Sequence, residues 1–91
     1  STWSVYMLRT ANGSLYTGIT TDVKRRFKEH SSGIKGAKSL RGKGPLSLVL
    51  EFAAADRSEA SILEARIKKL TKEDKEWLVS GDKRLLTSIR D

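Results

Sequence analysis

The chain has 91 residues, with 18 lysines and arginines, 11 acidic residues, one histidine and no cysteine. This length favours one domain, and the composition excludes disulfides, a thiolate zinc site and a metal site built from several histidines. The net charge of +7 favours a polyanionic partner such as nucleic acid. The chain has no apolar run of membrane-spanning length and no signal-peptide pattern, so we expect no membrane association and a cytoplasmic location.

The first part of the chain predicts a β-hairpin. Residues 3–10 are apolar on both faces, which is typical of a central strand, and residues 15–20 form the returning strand. The turn between them is Ala11-Asn12-Gly13, because Asn-Gly tolerates the positive φ that such turns need. Gly18 removes a side chain in mid-strand and indicates that another group approaches the backbone there.

The middle of the chain predicts a helix, a loop and a third strand. The helix covers residues 22–31 and is capped by Thr21 or Asp22. A loop rich in glycine and lysine follows from residue 31 to residue 45, and residues 46–54 form the strand. In this strand we expect four residues to be mostly buried: Leu48, Val49, Leu50 and Phe52.

The last part of the chain predicts helices. One begins at a capping box formed by Asp56 and Glu59 and runs through Leu70, and another begins at Thr71 and ends near Gly81. The order β-β-α-β-α-α predicts an α+β fold in which helices flank a small three-stranded antiparallel sheet. We expect one domain over residues 1–91, with its core at about 3–80. In the tail, 81–91, three apolar residues allow a short docking helix: Leu85, Leu86 and Ile89.

Two tyrosine tripeptides, Val5-Tyr6-Met7 and Tyr16-Thr17-Gly18, stand ten residues apart in the predicted hairpin. Arg26 and His30 follow at the i,i+4 spacing that places both on one face of a helix. Glu64 adjoins the apolar stripe of a later helix. With these residues in this order, the chain resembles the GIY-YIG nuclease superfamily over about residues 3–80. It is most similar to the small stand-alone bacterial members, of the YhbQ type, through residues 15–22 and 36–44.

The resemblance implies an endonuclease that hydrolyses phosphodiester bonds and uses Mg²⁺ (or Mn²⁺), with no organic cofactor. By that analogy Glu64 holds the cation, Arg26 stabilises charge on the phosphate, and Tyr6 or Tyr16 orients the attacking water. A tyrosine has an ordinary pKa near 10 and is a poor base at neutral pH without nearby cations. The ordinary pKa of a histidine lies closer to neutral pH, so both His30 and a tyrosine remain candidate bases.

The length of the hairpin turn decides whether the two tyrosines meet. A two-residue loop at Asn12-Gly13 would place Tyr6 and Tyr16 on opposite faces of the sheet. A three-residue loop, or a bulge with the same effect, pairs Thr10 with Ser14 and places both phenols on one face. We predict the three-residue loop, because the chemistry needs both phenols together.

Five basic residues are candidate nucleic-acid contacts: Lys35, Lys38, Arg41, Lys43 and Lys75. The first four belong to the loop at 31–45, which contains no acid, and Lys69 and Lys72 can extend the basic surface near Lys75. DNA is the expected partner, as single strands or branched molecules, with repair or processing as the expected role.

Each candidate residue also has an ordinary structural explanation. The tyrosines can be strand aromatics, Arg26 a surface charge, His30 a cation at the end of a helix, and Glu64 half of an i,i+4 pair with Lys68. The main rival function is therefore a nucleic-acid-binding module that lacks catalysis, and a protein-interaction domain is a third possibility.

Overall fold

Strand β1 (Trp3–Arg9) is the centre of a three-stranded antiparallel sheet, with β2 (Leu15–Thr20) on one side and β3 (Ser47–Ala54) on the other. The computed structural model describes residues 2–32, 40, 42–81 and 83–91. Because β1 has neighbours on both sides and is covered on both faces, its residues 5–8 are all buried. This arrangement matches the double-sided apolar pattern of the strand.

The hairpin turn contains three residues, as predicted. The amide of Thr10 donates to the carbonyl oxygen of Ser14 at 2.9 Å, and Gly13 adopts φ +88°. Tyr6 therefore pairs with Gly18, and Leu8 pairs with Tyr16. Opposed residues share a face and alternate residues along a strand share a face, so Tyr6 and Tyr16 lie on the same side of the sheet.

In the described residues, four helices cover the sheet: α1 (Val23–Ser32), α2 (Arg57–Lys68), α3 (Lys72–Val79) and α4 (Lys83–Arg90). The predicted α+β fold and three-stranded antiparallel sheet are confirmed, and α4 extends the order to β-β-α-β-α-α-α. The predicted caps are also present. The Asp22 carboxylate accepts from the amide of Arg25, and Asp56 and Thr71 cap α2 and α3.

The two faces of the sheet form separate cores. On one face, Tyr6, Leu8 and Leu40 are buried, with Phe27 of α1 packed against them. The other face carries the larger core beneath α2, α3 and α4, with eight buried members: Val5, Met7, Ala54, Ala60, Leu63, Ile67, Leu78 and Ile89. The candidate catalytic tyrosines therefore belong to the smaller core, on the side of α1. In the part of the chain that is described, no helix has the length and apolarity needed to cross a bilayer.

Strand β3 is less buried than the sequence predicted. Leu48 is 39% exposed, and Val49, Leu50 and Phe52 are only partly buried. The expectation was wrong for Leu48, because β3 lies at the edge of the sheet and has a strand neighbour on one side only. The pairing with β1 also shifts between Met7 and Leu8, which interrupts the regular alternation of faces.

Candidate active site

Tyr6 and His30 form the buried centre of the candidate site. Tyr6 comes from the central strand and is 2% exposed, and His30 comes from the last turn of α1 and is 3% exposed. The phenolic oxygen of Tyr6 lies 2.8 Å from Nε2 of His30, which is hydrogen-bond distance. The one histidine of the chain is thus a buried partner of Tyr6 and not a solvated charge at the end of a helix.

Gly18 makes room for the Tyr6 ring. A Cβ atom at position 18 would lie 2.5 Å from Oη and 2.7 Å from Cζ of Tyr6, closer than any tolerated contact. The sequence predicted a close approach at this glycine, and the approaching group is the first tyrosine itself. The phenol can lie over β2 towards His30 only because residue 18 has no side chain.

Tyr16 completes an aromatic cluster with Tyr6 and His30. Its ring centroid lies 6.4 Å from that of Tyr6 and 5.3 Å from that of His30, with an edge-on angle of 65° to the imidazole. Such tilted and edge-on arrangements are the favoured geometries of aromatic pairs. Tyr16 is only partly buried, so of the two tyrosines it offers more surface to a substrate.

Burial sets the protonation of this pair. Desolvation, with a smaller effect from the charge of Tyr16, raises the pKa of Tyr6 to about 12, although Arg26 acts in the opposite direction. Burial also lowers the pKa of His30 below its usual value, and the Arg26 cation lowers it further. At neutral pH, Tyr6 is therefore a phenol and His30 is a neutral imidazole.

Arg26 supplies the positive charge of the site. Its guanidinium donates to Oε1 of Glu29 at 3.0 Å and lies close enough to the phenolic oxygen of Tyr6 to lower the pKa of that phenol. Burial alone would lower the pKa of Arg26, but its interactions with Glu29 and Tyr6 outweigh burial and raise the pKa. Since Arg26 and His30 are one helical turn apart on α1, the same face of the helix presents both to Tyr6.

Glu64 on α2 brings a carboxylate to the same region from the other side of β2. Its charge contributes to the raised pKa of Tyr6, and its side chain is partly buried. One oxygen lies 3.5 Å from Nζ of Lys68, so the predicted i,i+4 pair is also present. Among the described residues, no group of three or more acidic or histidine side chains is placed to hold a metal ion. A single carboxylate still suits Mg²⁺, which keeps several waters and takes its remaining ligands from substrate phosphates.

The described candidate nucleic-acid contacts, Lys43 and Lys75, both lie near the hairpin turn. The backbone oxygen of Lys43 accepts from the amide of Ala11, and Lys75 lines a pocket with residues 12–15. Lys35, Lys38 and Arg41 lie outside the described residues.

The structure also reveals a charged cluster that the sequence did not predict. Arg9 donates to both carboxylate oxygens of Glu76, at 2.8 and 2.6 Å, and Nζ of Lys72 lies 3.0 Å from the same carboxylate. Nζ of Lys72 also donates to the carbonyl oxygen of Gly13 at 2.7 Å. These contacts join α3 to the hairpin across 59 and 67 residues of sequence, so no local spacing could have indicated them.

Comparison with known proteins places this geometry in context. A family model described as the GIY-YIG catalytic domain matches residues 2–76. Proteins named UPF0213 from Yersinia pestis and from Yersinia pseudotuberculosis are each 58% identical to the chain over 89 residues, covering 98% of the chain and 93% of the relative.

Two solved structures have similar folds. The solution structure of the UPF0213 protein from Bacillus halodurans is 46% identical, with a TM-score of 0.58, covering 96% of this chain and 95% of that one. The solution structure of a protein from E. faecalis is 38% identical, with a TM-score of 0.61, covering 88% and 84%. Both identities lie well above the range in which a structural likeness indicates the fold alone.

Proposed function

Because this chain belongs to the GIY-YIG catalytic domain family, a nuclease-type family, we propose that it is a metal-dependent endonuclease that hydrolyses phosphodiester bonds in DNA. The observation that carries the proposal is the hydrogen bond of 2.8 Å between Tyr6 and His30, with Arg26 and Glu64 beside it. A tyrosine that only packs in a strand needs no histidine partner and no arginine or glutamate beside it. A group that moves protons next to a phosphate needs a proton acceptor, a cation and a site for a metal.

The Tyr6–His30 pair is suited to a proton relay. Tyr6 keeps its proton at neutral pH and the imidazole of His30 is neutral, so we assign the Tyr6 hydroxyl as donor to Nε2, with the imidazole proton on Nδ1. When a water attacks phosphorus, its proton passes to the Tyr6 oxygen as the phenolic proton passes to Nε2. The P–O bond to the leaving oxygen then breaks, and that oxygen takes a proton from solvent.

This relay resolves the weakness of tyrosine as a base. A phenol with a pKa of about 12 cannot remain ionised at neutral pH, but it need not do so if its proton leaves as another arrives. Arg26 stabilises the growing negative charge on the phosphate oxygens, and Glu29 holds its guanidinium in place. Tyr16, the more exposed ring, orients the water or the phosphate.

Glu64 is the residue that would hold the divalent cation, Mg²⁺ or Mn²⁺. When bound, the cation supplies Lewis-acid stabilisation of charge on the phosphate and on the leaving oxygen. The position of Glu64 suits this role, because its carboxylate is close enough to influence the Tyr6 phenol.

The proposed substrate is single-stranded or branched DNA, as in repair or processing. The basic residues Lys43 and Lys75 lie around the hairpin turn, and Lys35, Lys38 and Arg41 are proposed to extend that surface. Because the described part of the chain is small, its footprint suits a short flexible strand better than a long duplex site.

The test is cleavage of labelled single-stranded, duplex and branched DNA, with RNA alongside, in Mg²⁺ or Mn²⁺. We expect Glu64→Gln and Tyr6→Phe to lower the cleavage rate about 10²-fold or more while binding persists. Glu73→Gln, which removes the same charge from an exposed site on α3, should cleave normally. Binding without cleavage of any substrate in either metal would instead identify a non-catalytic binding module. Full activity in Glu64→Gln would refute the metal assignment.

A further inference from the structure

A pocket of about 270 Å³ lies between the hairpin turn and the first turns of α3. It is lined by Asn12, Gly13, Ser14, Leu15, Lys72 and Lys75. None of these residues belongs to the cluster of Tyr6, His30 and Arg26. The pocket is therefore a separate feature of the surface, with two lysines as its charged members.

The surroundings of this pocket are positively charged. Arg9 and Lys72 share one carboxylate, that of Glu76, whose pKa they lower to about 2, so Glu76 stays ionised and offsets one of the two cations. One positive charge remains from these three residues, and Lys75 adds a second. Within the described part of the chain, the ammonium of Lys75 has no hydrogen bond or ion pair. An anion entering the pocket would meet this unpaired ammonium.

The carboxylates on the rest of α3 do not line this pocket. Glu73 and Asp74 line two other surface depressions, each shared with Trp77. Lys72 is held by Gly13 and Glu76, so its ammonium is fixed beside the turn and not free to swing away. The lining of the pocket thus contains two ammonium groups, those of Lys72 and Lys75, and no carboxylate.

The pocket lies along the same strand as the candidate site. Leu15 lines the pocket, and Gly18 lies under the Tyr6 phenol. Three steps of about 3.3 Å along β2 separate them by about 10 Å along the strand, and the two residues face opposite sides of the sheet, Leu15 towards the larger core and Gly18 towards Tyr6. Since β2 is an edge strand, a nucleic-acid strand that reaches both positions would pass round its outer edge from one face of the sheet to the other.

We propose that this pocket is a subsite for a non-scissile phosphate, the first or second phosphate beside the one that is cut. Lys75 is its main contact, and Lys72 supports it. The inference rests on the proposed nuclease function and deepens it, because it gives the bound strand a direction from the tyrosine site towards the hairpin turn. Its ligand is the phosphodiester oxyanion, which DNA and RNA share, so it applies to either substrate.

The test compares Lys75→Gln with Lys28→Gln, which removes the same charge from an exposed position on α1, on the face of the helix opposite to Arg26 and His30. For a short oligonucleotide we expect Lys75→Gln to raise KM about tenfold, leave kcat unchanged, and reduce the slope of log affinity against log salt by about one. Cleavage of thymidine 5′-(p-nitrophenyl phosphate), which has no neighbouring phosphate, should not change. Equal effects of the two substitutions, or an equal loss on the minimal diester, would overturn the subsite.

Binding in EDTA separates this inference from the proposed activity. Anisotropy of a labelled oligonucleotide should show weaker binding and the smaller salt slope for Lys75→Gln whether or not the protein cleaves. Amide shifts of Gly13 and Ser14 on addition of trithymidylate should be present in the wild type and lost in Lys75→Gln. If neither binding nor these shifts depend on Lys75, the subsite is wrong even where cleavage is observed.

Discussion

Gly18 is the residue whose smallness matters most to the site, because the Tyr6 phenol occupies the space of its missing side chain. We expect Gly18→Ala to displace the ring, break its hydrogen bond to His30 and lower the unfolding free energy by roughly 1–3 kcal/mol. The measurements are denaturant unfolding and cleavage rate. In a Tyr6→Ala background the added methyl has no ring to meet, so its cost should largely disappear. A cost that is equal in both backgrounds would contradict the assigned contact.

His30 gives the site a defined dependence on pH. Only the neutral imidazole can accept the Tyr6 proton, and burial lowers the pKa of His30 below 6.5. The cleavage rate should therefore stay high at pH 6.5 and fall at lower pH, as the imidazole becomes protonated. His30→Gln should be slower and should lose this acidic limb of the kcat profile. The same limb in wild type and variant would assign the titration to another group.

The sequence predicted which residues belong to the site but not how they are bonded. The order of Tyr6, Tyr16, Arg26, His30 and Glu64 was enough to group them, and the parity of the hairpin placed both phenols on one face. It could not show that Tyr6 bonds to His30, because that contact spans 24 residues and depends on how α1 packs on the sheet. It also could not show which tyrosine is buried, since each follows an apolar residue, Val5 or Leu15, in a predicted strand.

At the scale of elements, the contacts of Arg9 and Lys72 with Glu76 form a clamp that joins the hairpin to α3. Arg9 and Lys72 hold the pKa of Glu76 at about 2, below the usual 4.5, so the clamp contributes stability above pH 4.5 and loses it as pH falls towards 2. We expect Glu76→Gln to flatten this acidic loss of stability and to speed amide hydrogen exchange at Gly13 and Ser14. Asp74→Asn, which removes a neighbouring charge on α3, is the matched control. Unchanged exchange in Glu76→Gln would show that the turn is held without the clamp.

The elements themselves were largely readable from the sequence. Local signals define them: Asp56 and Thr71 as caps, the Asn-Gly turn, and the apolar stripe of α2. The burial of β3 was not readable, because a run such as Leu48-Val49-Leu50 has the same composition in a central strand and in an edge strand. Strand order is a property of the whole sheet, and no residue of β3 specifies it.

For the whole molecule, the C-terminal helix is part of the larger core although the family match ends at residue 76. Ile89 is 5% exposed, and Nη1 of Arg66 donates to its carbonyl oxygen at 2.6 Å. If residues 1–91 fold as one domain, Ile89→Ala should lower the unfolding free energy of the whole protein by roughly 2–5 kcal/mol in a single transition. Ser88→Ala, at an exposed neighbouring position, should have little effect. Separate melting of α4 before the sheet would show that it is an appendage.

The basic and acidic residues are also distributed unevenly over the molecule. Lys43, Lys72 and Lys75 gather at the hairpin end, whereas Glu73 and Asp74 occupy another side of α3. The net charge alone predicted a polyanionic partner but not which side would receive it, because Lys72 and Lys75 reach the hairpin only through the packing of α3 against it.

The three-residue turn has a consequence for other chains built on this plan. Two tyrosines separated by an even number of positions share a face only if the turn between the closing pair has an odd number of residues, as it does here between Thr10 and Ser14. A chain with one more residue between its tyrosines must place that residue in the turn or in a bulge. Insertions in this hairpin should therefore occur at positions that keep both tyrosine rings on one face of the sheet. A protein with a one-residue insertion in a strand, and no second change that restores the pairing, should lack the site that the two tyrosines share.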